Sequence, residues 1–116
     1  MPHNMETVVH PEERGWVLVA VTGTMDSTTA PRLLSTCREL KDDQNSVILD
    51  LSGVDFIASS GVGSLLAMAE EFRGAGVGIR FAALSTAVSS VIQLLNLNRF
   101  LEIFPTTEEA RTAEAA

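Results

Sequence analysis

Cysteine, histidine and basic residues are all scarce in this 116-residue chain, and each scarcity removes a class of function. The single Cys37 cannot close an internal disulfide, so nothing argues for secretion, and the chain suits a reducing, cytoplasmic compartment. One cysteine and two dispersed histidines, His3 and His10, form no metal constellation, and no cofactor is expected. Both histidines sit at the N-terminal edge, far in sequence from any candidate nucleophile, and a serine without an activating base is a weak one. Eight Lys and Arg against fifteen Asp and Glu leave a net charge of −7, which disfavours nucleic acid or an anionic membrane as partner and favours a basic protein surface. No apolar run reaches the length of a bilayer span, and Met1–Glu6 has neither the basic start nor the apolar core of a signal peptide. Membrane insertion is not expected. Internal repeats are also lacking, and residues 1–116 are read as one domain large enough to bury a core of its own.

What is present is organised around Val47-Ile-Leu-Asp-Leu-Ser-Gly-Val-Asp-Phe-Ile-Ala-Ser-Ser-Gly-Val-Gly-Ser-Leu-Leu66. Val47, Ile48, Leu49 and Leu51 read as a strand buried on both faces. Asp50 to Asp55 reads as a turn, after which Phe56 and Ile57 re-enter the interior. Ser59 or Ser60 is then expected to cap a helix whose Val62, Leu65, Leu66 and Ala69 share one face. A hydroxyl at a helix start lies beside unpaired N–H groups that tolerate an anion, although on this stretch alone the plain cap is the favoured reading.

Around that stretch, Thr7–His10, the turn Pro11–Gly15 and Trp16–Thr22 read as a β-hairpin, with Trp16 in a packing role. Gly23–Asp26 ends the second strand, and Asp26, Ser27 or Thr28 caps a helix carrying Ala30, Leu33, Leu34, Cys37 and Leu40 on one side, with Pro31 in its first turn. After the central helix, Gly74-Ala-Gly76 is the stop, and Gly78–Ala83 is the next strand. Ser85 or Thr86 opens a third helix, Leu101–Phe104 is a short last strand, and Thr106 stands three residues before Glu109 in capping-box spacing. The expected fold is a small mixed α/β domain: a largely parallel sheet with an N-terminal antiparallel hairpin and about four helices.

Three motifs of enzymes and nucleotide-binding proteins fail. A nucleophile elbow needs glycine two residues before the serine, where Ile57 and Ala58 stand instead. Gly61-Val-Gly63 begins a dinucleotide fingerprint whose third glycine position is Leu66, and no P-loop lysine follows. The chain is not expected to be an enzyme.

The residues resemble the STAS domain, and within it the single-domain anti-sigma factor antagonists. The likeness rests on Thr22-Gly-Thr-Met-Asp26 with Ala30, on Val47 to Ile57, on Ser59-Ser-Gly-Val-Gly63, and on Leu84-Ser-Thr-Ala-Val88 and Leu95 to Phe104. The resemblance implies a partner switch that regulates transcription. The antagonist binds an anti-sigma factor with serine-kinase activity and so frees the sigma factor; phosphorylation on serine ends the binding, and a phosphatase restores it. It further implies Ser59 as the phosphate acceptor and a partner surface made by Asp26, Ser27, Thr28, Ser59, Ser60, Gly61 and Val62. One position departs from the family pattern: the aspartate usual before the acceptor is Ala58 here. That departure keeps a second reading open, a STAS binding module that is never phosphorylated, such as a subunit of a lipid-transport or signalling complex.

Overall fold

Alternating strand and helix signals resolve into nine elements in the computed structural model, which describes residues 4–114; His3 lies outside them. In chain order these are β1 (Met5–Pro11), β2 (Trp16–Met25), α1 (Ala30–Asp42), β3 (Ser46–Ile57), α2 (Ser59–Ala75), β4 (Ile79–Ala82), α3 (Thr86–Leu94), β5 (Ile103–Phe104) and α4 (Thr107–Thr112). They build one sheet in the order β1-β2-β3-β4-β5, with β1 antiparallel to β2 and the other pairs parallel. The expected mixed sheet, its opening hairpin and the central place of the Val47 strand are all borne out.

Alternation along each strand sends side chains to two unequal layers. One face carries Val19 and Val21 of β2, Val47, Leu49 and Leu51 of β3, and Phe81 of β4, packed under Leu33 and Cys37 of α1, Leu65, Met68 and Phe72 of α2, and Val88 and Ile92 of α3. The other face is smaller, with Ile48, Ala82 and Ala110 of α4 joined by Trp16, Leu18 and Phe104. Cys37 is a core residue as expected, and burial pushes its thiol up to about 12. Leu66 departs from expectation: it is half-buried, whereas Met68 and Phe72 are fully inside.

Arg80 on the smaller face has no counterpart in the sequence reading. Its side chain is buried, its guanidinium lies 4.5 Å from the Trp16 ring centre, and it donates to the backbone carbonyls of Ala110 (2.8 Å), Ala113 (3.0 Å) and Glu114 (3.2 Å). The charge sits where carbonyls at the end of α4 converge, and so clasps the C-terminal helix to the sheet.

The strands also differ from expectation in length. β2 continues through Met25, and β3 does not turn at Asp50 but runs on to Ile57. Two irregularities in the β2–β3 register, between Ala20 and Thr22 and between Gly23 and Thr24, place extra residues on β3. Each bulge shifts the alternation, so Leu51, Val54 and Ile57 all face inward at a spacing no regular strand produces. Phe56, expected in the interior, is turned outward and left 53% exposed.

Candidate functional site

β4 pairs with β3 only as far as Asp50, so the paired ends of β2 and β3 project beyond the rest of the sheet. The candidate site stands on that projection. Met25 and Ile57 are direct neighbours there, and the Ala58 N–H donates to the Met25 carbonyl at 2.8 Å. Asp26 follows β2 and Ser59 follows Ala58 at the end of β3, so two segments far apart in sequence emerge side by side. An ion pair between α1 and α2, Arg38 to Glu71 at 2.7 and 2.8 Å, ties together the helices that leave from them. The bidentate guanidinium holds the Glu71 carboxyl below its ordinary range.

Capping at the site differs from expectation on both helices. Thr29, not Asp26, Ser27 or Thr28, is the N-cap of α1. Asp26 instead folds back on its own turn: its Oδ1 accepts from the N–H groups of Thr28 (2.9 Å) and Thr29 (3.0 Å), while the buried Thr29 hydroxyl donates to the Thr24 carbonyl at 2.6 Å. Ser27 and Thr28 are left exposed on the outside of that turn. The N-cap of α2 is Ala58, held extended (φ −93°, ψ 172°) by its bond to Met25, and its carbonyl accepts from Gly61 and Val62 at 2.9 and 3.1 Å. Ser59 and Ser60 are therefore the first two helical residues, both exposed, and neither hydroxyl has a protein partner among the described residues.

Gly61 and Val62 are buried beneath this surface. A Cβ on Gly61 would come within 2.8 Å of Ile57 Cγ1 and 3.0 Å of the Met25 carbonyl, so glycine lets the first turn of α2 sit directly on the strand ends. Their part is to set the height of the helix start, whereas Asp26, Ser27, Thr28, Ser59 and Ser60 reach the surface. Sequence reasoning missed two neighbours: Phe56, whose exposed ring lies three residues before Ser59, and Asp55, whose carboxylate accepts from the Thr24 hydroxyl at 3.3 Å. Only the register shift that turns Phe56 outward could have revealed it, and that shift is a property of strand pairing.

The arrangement offers open donors and a surface on which added bulk would meet an approaching partner. Among the described residues the N–H groups of Ser59 and Ser60 have no protein acceptor, so an anion attached to the free hydroxyl meets two open donors and the positive end of the helix dipole. A parallel-rich sheet with an antiparallel edge, a projecting β2–β3 pair and a serine-led helix is the arrangement of a STAS domain, and the STAS domain family model matches residues 4–110; the chain belongs to that family. Among its relatives is the anti-sigma-F factor antagonist RsfB of Mycobacterium tuberculosis, 28% identical over 107 residues that cover 91% of this chain and 87% of RsfB. An anti-sigma factor antagonist from Mycobacterium paratuberculosis superimposes with a TM-score of 0.86 at 30% identity, over 97% of this chain and 95% of that one. SpoIIAA in its unphosphorylated form shares the fold at a TM-score of 0.75 and 17% identity, over 95% and 100% of the two chains. No helix among the described residues is long and apolar enough to cross a membrane.

Proposed function

We propose that this chain is an anti-sigma factor antagonist that acts, as a single cytoplasmic domain, through the surface around Asp26 and Ser59. The observation that carries the reading is an exposed, unbonded Ser59 on the first turn of α2, beside the Asp26 turn, in a chain similar along most of its length to named antagonists. The partner is an anti-sigma factor that is also a serine kinase, and its complementary face is basic, to match Asp26, Asp55 and the net charge of −7. Ser27, Thr28, Ser60 and Phe56 supply the rest of the contact.

Phosphorylation of Ser59 is the off-switch. The phosphate adds close to two negative charges and considerable bulk where the partner approaches, while first-turn N–H groups accommodate it without loss of fold. A phosphatase then resets the protein. Ser59, the first helical residue, is the acceptor in preference to Ser60.

The test uses the whole chain with the anti-sigma kinase of its own cell. Capture should occur without ATP and fall as phosphate accumulates on Ser59; Ser59→Ala should be captured with or without ATP, and Ser59→Asp poorly. Phosphate mapped to Ser60 would overturn the assignment of the acceptor. Ala58 favours a second reading, because the carboxylate usual at that position is absent: a STAS module that binds without being modified. Capture with no phosphate on any serine would establish that reading in place of the first.

A further inference from the structure

Among the described residues, β1 ends the sheet and pairs on one side only, with β2. At the two ends of the β1–β2 ladder, the Asn4 carbonyl accepts from Thr24 at 2.8 Å and the Glu12 N–H donates to the Trp16 carbonyl at 2.8 Å. The register between these ends is unbroken, and main-chain groups alternate sides along an antiparallel strand. Glu6, Val8 and His10 therefore bond inward to β2, while Met5, Thr7 and Val9 aim both N–H and C=O away from the sheet. Pro11 falls on the outward side, where a missing N–H disturbs nothing in the hairpin. Strand edges are normally blunted by charged side chains, lysine above all, by proline, by bulges or by covering elements, and of these β1 carries Glu6 towards one end and Pro11 at the other. β1 contains no lysine, its ladder has no bulge, and among the described residues it packs on β2. Val8 and Val9, which point to opposite faces, are 51% and 43% exposed.

We propose that this edge is a homodimer interface: β1 of one copy pairs antiparallel with β1 of a second about a two-fold axis through Val8. Outward groups must meet outward groups, which restricts the register to pairings of odd residues with odd residues. With Val8 on the axis, Thr7 faces Val9 of the partner, Met5 faces Pro11, and about six main-chain hydrogen bonds close. Glu6 of each copy then faces His10 of the other, so a carboxylate meets an imidazole twice, and Val8 packs on Val8. Centring on Thr7 would put Glu6 against Val8, and centring on Glu6 would oppose two like carboxylates, which is unfavourable. The charges of this strand thus select a second copy of itself in one register. Because the pairing is antiparallel and the Asp26–Ser59 surface lies beyond the Met5 end of β1, the two candidate sites point to opposite ends of the joined sheet and both stay open. The dimer is independent of the function proposed above.

Sedimentation velocity on the full chain from micromolar to millimolar concentration tests this. The expected result is a reversible shift to twice the 12.4 kDa protomer mass, with the outward amides of Thr7 and Val9 exchanging more slowly as concentration rises. Val9→Pro removes an outward N–H that β2 does not use, and Val8→Lys sets two ammonium groups against each other on the axis. Both should keep a native circular dichroism spectrum and remain monomeric. Glu6→Lys should raise the dissociation constant about tenfold, and adding His10→Glu should restore it. A monomer at millimolar concentration, a dimer indifferent to both Val9→Pro and Val8→Lys, or a charge swap that fails to restore association would each overturn the proposal.

Discussion

α2 and α3 both begin just after a parallel strand of the same sheet, yet their first turns are finished in opposite ways. At α3 the Ser85 side chain accepts from the Val88 N–H at 3.2 Å, and the helix start is closed. At α2 the cap is Ala58, which has no side chain to offer, and two serines stand one and two places too late to serve. The same residue type is structural in one helix and free in the other. The difference lies in which residue the neighbouring strand holds extended: Met25 bonds Ala58, so helical geometry starts at Ser59. An uncapped start leaves N–H groups for whatever arrives, and an open helix end is a better receptor for an anion than a closed one.

α2 is anchored by its buried stripe and not by a side-chain cap, and the largest effect is expected there. Leu65 is 1% exposed, and Leu65→Ala should cost about 2 to 5 kcal/mol in chemical denaturation. A loss below about 1 kcal/mol would mean that the helix is held by something else. Two glycines of the same helix come next. Gly61→Ala meets the Met25 carbonyl and Ile57 and should cost about 1 to 3 kcal/mol, while Gly63→Ala has open space and should gain about 0.5 to 1 kcal/mol. Equal effects from the two would break the claim that the first turn sits directly on the strand ends.

The smallest effects bear on the caps themselves. Ser85→Ala should lower stability by about 1 kcal/mol, while Ser59→Ala and Ser60→Ala should stay within about 0.5 kcal/mol of the wild type. Ala58→Asp converts the open end to a capped one and should add about 1 kcal/mol. If Ser59→Ala destabilised as much as Ser85→Ala, Ser59 would be a cap and the contrast would vanish.

Much of this was legible along the chain. The sheet's mixed character, the order of its elements, the double burial of Val47 to Leu51, the packing of Cys37, the Gly76 stop (φ 75°) and the Ser85 and Thr106 caps follow from periodicity and local turn chemistry. Those properties depend on residues within about a turn of one another, which is the range over which composition speaks.

Other features depend on a neighbour remote in sequence. Asp50 to Asp55 has the residues of a turn, yet pairing with β2 drew it into a bulged strand, because main-chain bonds to an adjacent edge outweigh a weak local preference. That pairing turned Phe56 to solvent. Arg80 carries no local signal of its burial and is buried because Trp16 and the end of α4 converge on it. The sequence by itself determined which elements exist and that Ser59 lies near a helix start. Only the tertiary structure decided that Ala58 is the cap and that both serine hydroxyls stand free, since one hydrogen bond from β2, across some thirty residues of chain, sets where the helix begins.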